Sequence, residues 1–99
     1  MKLRRIAHAR TGDKGNLVTI SLIAWRPEDY PHLVERVTEE AVSARFAPLI
    51  VAPVRRHELP GLHALNFVLE RPKGRTVTNS LGLDTHGKSL GDLLLDMEL

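Results

Sequence analysis

Residues 10–16 read RTGDKGN, a string in which two glycines lie among an arginine, an acid, a lysine and an asparagine. Glycine tolerates positive φ, and successive amides in such a turn can form a nest that binds an anion. Arg10 and Lys14 would add charge-assisted donors for a phosphate or a carboxylate, and Asp13 could fix the segment or act as a base. The string therefore suggests an anion site between two strands; an ordinary hairpin turn is the alternative.

Two further positions could contact a ligand. Asn66 lies in LHALNFVLE; a buried amide there must pair within the protein or with a ligand, because an unpaired one costs about 1–3 kcal/mol. Asp84 and Lys88 bracket DTHGK, which ordinary turn chemistry also explains. The candidate ligand-binding residues are Arg10, Thr11, Gly12, Asp13, Lys14, Gly15, Asn16, Asn66, Ser80, Asp84 and Lys88.

The sequence has no recognisable catalytic or metal-binding pattern. His57 and His63 in HELPGLH are six residues apart, whereas a helical zinc motif needs histidines four apart on one face. No Ser–His–Asp arrangement or paired carboxylates can be identified. We expect no metal and no cofactor, and whether the chain is an enzyme stays open.

Composition indicates one globular domain. The chain has 99 residues, 42% of them hydrophobic and 26% charged, and no cysteine, which suits a reducing compartment. Its apolar runs are far shorter than the ~20 residues of a membrane span. The opening MKLRRIAHAR is expected to be a first strand and not a signal peptide. We therefore expect a cytoplasmic protein without a membrane partner.

Nucleic acid is not an expected partner. The formal net charge is +2 and the basic residues are scattered, while the four aromatic residues form no RNA-binding string. An RNA-binding domain is the least favoured alternative.

Hydrophobic periodicity predicts an α+β domain. The predicted strands are residues 3–10, 16–25, 51–58 and 75–83. The predicted helices are residues 30–37, a helix capped by Thr38 and ending near Phe46, and a last helix capped by Ser89. In the second strand Val18, Ile20, Leu22 and Ala24 share the apolar face.

Residues 62–70 fit two patterns. Leu62, Leu65 and Leu69 form one stripe of a helix, whereas Leu65, Phe67 and Leu69 form one face of a strand. In the helix, Asn66 lies on the buried side.

The other face of the second and fourth predicted strands carries small polar residues, and a sheet with helices on one side leaves such a face open. We expect this face to be solvated or to meet another subunit, and we predict a homo-oligomer. The residues concerned are Thr19, Ser21, Thr76, Thr78 and Ser80.

Three strings occur in a fixed order: RTGDKGN, ELPGLHALNFVL and TNSLGLDTHGKSL. Together they resemble the C-terminal domain of the AtuA-like family, the acyclic terpene utilisation protein A group, over residues 3–98. The resemblance implies a ferredoxin-like fold, with a four-stranded, mostly antiparallel sheet and helices packed on one face. It also implies that residues 62–70 are helical. RPKGR at residues 71–75 replaces a run that is often glycine-rich in the family.

In that family the domain usually follows a much larger one, and here we expect a single stand-alone domain over residues 1–99. The resemblance implies an accessory subunit that acts with a large AtuA-type subunit in the catabolism of acyclic terpenoid or acyl-CoA-type substrates. A CoA thioester is then a possible ligand. The alternative is a stand-alone module that binds an anionic small molecule such as CoA or phosphate.

Overall fold

The computed structural model describes residues 1–72 and 90–99. The strands in this part of the chain are β1 (Ala7–Lys14), β2 (Leu17–Ala24), β3 (Arg55–Leu59) and β4 (Ala64–Glu70). The helices are α1 (Tyr30–Arg36), α2 (Glu39–Phe46) and α3 (Leu90–Leu95). Single 3-10 turns occur at Leu3–Arg5, Pro27–Asp29, Ala47–Leu49 and Pro60–Leu62.

The four strands form one antiparallel sheet in the order β1-β2-β4-β3. Because β2 and β3 each run antiparallel to β4, which lies between them, they are parallel to each other. The chain passes from β2 to β3 through α1 and α2. This split β-α-β arrangement is typical of ferredoxin-like folds, and it confirms the predicted α+β class.

Alternation in β2 places one face of the sheet in the core. Ile20 and Leu22 are fully buried, and Ile20 lies directly opposite Phe67 of β4, which is also fully buried. The helices contribute Leu33, Val42 and Leu94 to the same core. The apolar face predicted for the second strand is therefore confirmed.

The helix ends are held by specific hydrogen bonds. Thr38 Oγ1 accepts from the amide of Ala41 at 3.1 Å, which confirms the predicted cap of α2. Arg56 of β3 donates from Nη1 to the carbonyl oxygens of Val34 and Val37 at 2.8 and 2.9 Å. These bonds satisfy carbonyls at the end of α1 and tie the edge strand to the helices.

The helix predicted for residues 62–70 is wrong, because this segment is a 3-10 turn followed by β4. Leu65 and Leu69 are four residues apart and share a face in a helix as well as in a strand, so their spacing does not distinguish the two structures. Phe67 does distinguish them: it is buried together with Leu65 and Leu69, as in a strand, while Leu62 of the proposed helical stripe is 69% exposed. His63, with φ 52°, reverses the chain before the strand begins.

Two strand boundaries also differ from the prediction. The first strand begins at Ala7, because Leu3–Arg5 forms a 3-10 turn that buries Leu3. The third begins at Arg55, after Pro53, which has no amide to donate to a ladder. The strand predicted at 75–83 and the cap predicted at Ser89 lie outside the described residues.

Candidate functional site

The sheet has one face packed by helices and one that no described helix covers. We call the second the open face; it comprises the even-numbered positions of β1 and β4 and the odd-numbered positions of β2 and β3. Apart from Ala64, every residue on it is exposed or half-buried. The other face packs against the core, apart from the exposed side chains of Thr11, Asp13 and Glu58. The open face is therefore the larger part of the sheet that is available to a partner or a ligand.

A polar row crosses the open face through all four strands. The register places Arg10 opposite Ser21, Ser21 opposite Asn66, and Asn66 opposite His57. Ser21 Oγ donates to Asn66 Oδ1 at 3.1 Å. Adjacent strands are about 4.8 Å apart, so Arg10 and His57 lie at the two ends of a row about 14 Å long. The row therefore places polar donors where an anion could be bound from solvent.

The residues RTGDKGN do not form the loop expected from the sequence. Arg10 to Lys14 belong to β1 and pair with β2, which leaves Gly15 and Asn16 as a two-residue turn. Gly15 has φ 62°, the positive φ that a type II′ hairpin turn needs at its first central position. The extended backbone of residues 10–14 follows the sheet ladder, so it does not form the expected nest.

The hairpin turn is held from the far end of β4. Arg71 is 7% exposed and donates from Nη2 to the carbonyl oxygen of Gly15 at 2.8 Å. The same Nη2 lies 3.7 Å from Asp13 Oδ2, and the amide of Arg71 donates to the carbonyl oxygen of Asn16 at 2.7 Å. The turn is thus part of the structural framework, which agrees with the expectation that Asp13 could fix the segment.

A cleft of about 470 Å³ lies at the end of the open face nearest this turn. The amide of Val51 donates to the carbonyl oxygen of Glu70 at 2.9 Å, and the amide of Val54 donates to Ser43 Oγ at 2.9 Å. These bonds hold residues 51–54 beside β4 as one wall. The lining residues are Leu17, Ala52, Pro53, Arg55, Val68 and Glu70.

The opposite end of the open face carries an aromatic pair. The rings of His8 and Trp25 stack with their centroids 4.1 Å apart and their planes 30° apart. Trp25 follows the last residue of β2 and is 61% exposed. An indole in this position can contribute to a protein contact, because tryptophan is enriched among residues that dominate binding energies.

The structure separates the candidate site residues into groups. Arg10, Gly12, Lys14 and Asn66 share the open face, whereas Thr11 and Asp13 point to the other side of β1. Gly15 and Asn16 form the turn, with Asn16 Nδ2 3.5 Å from Glu70 Oε2. The candidates Ser80, Asp84 and Lys88, and the assembly residues Thr76 and Thr78, lie outside the described residues.

Asn66 was predicted to lie on the buried side of a helix, and that prediction is wrong. Its segment is a strand, in which the Asn66 side chain is half-buried on the open face. Sequence reasoning also missed Arg55 and His57 as its neighbours. Their alternation around Arg56 was available as a signal, but the register that brings them beside Asn66 and Val68 was not.

Comparisons with known proteins agree with this fold. The model of the AtuA ferredoxin-like domain family matches residues 1–99. No match was found among curated proteins or among solved structures. Within residues 1–72 and 90–99, no helix has the length and apolar character to cross a membrane, and no group of three or more acidic or histidine side chains could hold a metal ion.

Proposed function

The chain belongs to the AtuA ferredoxin-like domain family, and from that premise we propose that it is an accessory subunit that binds a large AtuA-type subunit through the open face. The pair would act in the cytoplasm in the catabolism of acyclic terpenoid or acyl-CoA-type substrates. The large subunit would contribute the greater part of the active site, and the present chain would support it by docking.

The observation that carries this proposal is the exposure of the open face in a chain that otherwise packs a full core. Trp25 is 61% exposed and Leu17 is 43% exposed, at opposite ends of that face. Thr19 and Ser21 lie between them on β2, where short side chains allow another surface to approach closely. Apolar groups around a flat, small-residue centre favour a protein contact.

Affinity purification of the tagged chain from its native host tests the proposal. We expect a large AtuA-type subunit, identified by mass spectrometry, to be retained in near-stoichiometric amount. Thr19→Arg places a charge in the middle of the open face and should abolish retention. Ala44→Arg adds the same charge at an exposed position of α2 and should leave retention unchanged. Equal retention by both variants, or retention by neither the wild type nor Ala44→Arg, would contradict the proposed contact.

A second candidate function is the binding of an anionic small molecule, such as the phosphates of CoA. Arg10 supports it, because this residue flanks the Ser21–Asn66 pair and its guanidinium makes no hydrogen bond or ion pair to any described residue. Lys14 projects from the same face of β1. Titration with phosphate and CoA should shift the amide resonances of residues 10–16, and Arg10→Gln should weaken the effect. Unperturbed resonances at millimolar ligand would exclude this function for the isolated chain.

A further inference from the structure

We propose that the cleft at the turn end of the open face binds a small carboxylic acid with an apolar chain. Its carboxylate would lie on Arg55 and its chain on Leu17 and Val68. This is a ligand site, and it does not depend on the subunit contact proposed above. The two can be tested separately, because ligand binding is measured on the isolated chain, without the large subunit.

The size and lining of the cleft fit a small organic molecule. Its volume of about 470 Å³ falls within the range of about 300–1,000 Å³ that is usual for ligand sites. Four of the six lining residues are apolar: Leu17, Ala52, Pro53 and Val68. Leu17 is 43% exposed, so a ligand that covers it removes apolar surface from water, which favours binding.

The walls of the cleft are held by the fold. Leu17 and Val68 belong to adjacent central strands, and their neighbours across the ladder are Glu70 and Thr19. The opposite wall is fixed by the bond from the amide of Val51 to the carbonyl oxygen of Glu70, at 2.9 Å. A site with walls that are already in place loses little conformational entropy when a ligand binds.

Arg55 gives the cleft its preference for an anion. It pairs with Val68 across the β3–β4 ladder, so its side chain starts beside the apolar floor. Its side chain is exposed and makes no hydrogen bond or ion pair to any residue within 1–72 or 90–99. A guanidinium can donate two parallel hydrogen bonds to a carboxylate, an arrangement that selects this group over a hydroxyl or an amine.

Glu70 is the second charge of the cleft, and it sharpens the test. It lies opposite Leu17 and two residues from Val68 along β4, a displacement of about 7 Å. Its carboxylate is within 3.5 Å of Asn16 Nδ2 and therefore has a partner already. A ligand carboxylate is thus attracted to Arg55 and repelled by Glu70, so that neutralising these two side chains should change affinity in opposite directions.

A second cleft, between α1, α2 and the last residues, serves as an internal control. Its volume is about 660 Å³, and its lining includes Glu35, Arg36, Arg45 and Glu98. Arg45 already donates from Nε to the carbonyl oxygen of Leu93 at 2.7 Å. This cleft presents two carboxylates beside its arginines, so an apolar acid is not expected to favour it.

The test is an NMR titration of the whole chain with hexanoate, acetate, hexanol and hexylamine. Hexanoate should shift the amides of Leu17, Arg55 and Val68 with millimolar affinity. The other three probes should bind at least about fivefold more weakly, since each lacks the chain or the negative charge. Arg55→Gln should weaken hexanoate binding about tenfold, a factor that corresponds to about 1.4 kcal/mol. Glu70→Gln should strengthen it, and Arg26→Gln, a matched change at an exposed arginine that does not line the cleft, should leave it unaltered.

Three outcomes would overturn the proposal: no shifts at tens of millimolar hexanoate, shifts centred on Arg36 and Ala44 in the second cleft, or equal affinity for wild type and Arg55→Gln. If hexanoate does not bind but the large subunit is still retained, only the proposed ligand site is contradicted. The converse result would remove the subunit contact and leave the ligand site in place.

Discussion

The guanidinium of Arg71 and the carbonyl oxygen of Gly15 are joined by a hydrogen bond of 2.8 Å, although the two residues are 56 positions apart. This bond connects the end of β4 to the turn between β1 and β2. It shows that the turn of RTGDKGN has a structural role, because the carbonyl group of Gly15 accepts a hydrogen bond from a buried cation. The side chains of Arg10 and Lys14 project from the adjacent strand and stay available for binding.

Arg71→Ala should therefore loosen the hairpin. The variant removes a charge-assisted hydrogen bond of a buried side chain, and we expect the free energy of unfolding to fall by about 1.5–3 kcal/mol. Urea denaturation measures the change, and amide exchange should show faster opening near the turn. Arg55→Ala, which removes an exposed arginine, should stay within about 0.5 kcal/mol of the wild type. If the free energy of unfolding of Arg71→Ala falls no further than that of Arg55→Ala, the Arg71 contacts are not stabilising.

Ser21 and Asn66 should be energetically coupled across β2 and β4. Their side chains meet at 3.1 Å, and a hydrogen bond between neutral groups contributes about 0.5–1.5 kcal/mol. A double-mutant cycle with Ser21→Ala and Asn66→Ala should give a coupling energy in that range. Asn66→Leu alone should cost no more than the upper value, because the Ser21 hydroxyl left behind is only half-buried. A coupling energy of zero would mean that the pair does not persist in solution.

Tyr30 should make the fold less stable at high pH. Its hydroxyl oxygen is buried; desolvation, reinforced by the negative charge of Glu58, raises the pKa of Tyr30 above 10.0, against the smaller opposing effects of Arg56 and the backbone of Leu59. The folded state therefore keeps its phenolic proton at a pH where the unfolded chain loses it. This contribution to stability is fully present below pH 10.0 and is lost as the pH rises through the folded-state pKa.

Tyr30 is the sole tyrosine of the chain, so phenolate absorbance reports its titration directly. The midpoint should lie higher in the folded protein than in urea-unfolded protein. Tyr30→Phe should weaken the alkaline decline in stability. Coincident midpoints in the two states would contradict the predicted shift.

Self-association through the open face, expected from the sequence, should depend on salt. Arg10, Lys14 and Arg55 lie near its two edges, and among the described residues Glu70 is the sole carboxylate on the face. Two copies packed face to face would bring like charges together, and salt screens that repulsion. Light scattering at tens of micromolar should therefore show more oligomer at high ionic strength, and Thr19→Arg should remain monomeric. A wild type that is monomeric at every salt concentration would refute self-association.

The sequence predicted best where local pattern and burial agree. Alternation in β2 was sufficient to assign its buried face, because Ile20 and Leu22 contact a core that any register would provide. The Thr38 cap was predicted equally well, since its hydrogen bond to the amide of Ala41 spans only three residues. Both features depend on neighbours along the chain.

The features that were predicted wrongly or missed depend on contacts between distant parts of the chain. Leu65 and Leu69 suit a helix and a strand equally, and pairing of their segment with both β2 and β3 decides for the strand. The Arg71 contacts and the cleft beside Val68 were missed for the same reason. They exist only because residues far apart in sequence are adjacent in the sheet, and no local sequence pattern predicts which distant residues come together.

The most direct measurement of the proposed subunit contact is calorimetric titration of the purified large AtuA-type subunit with wild-type chain, Thr19→Arg and Ala44→Arg. Wild type and Ala44→Arg should bind with the same affinity and one-to-one stoichiometry, while Thr19→Arg should give no measurable heat of binding. Circular dichroism must show that all three chains are folded. Undiminished binding by folded Thr19→Arg, or no binding by the wild type, would contradict docking through the open face.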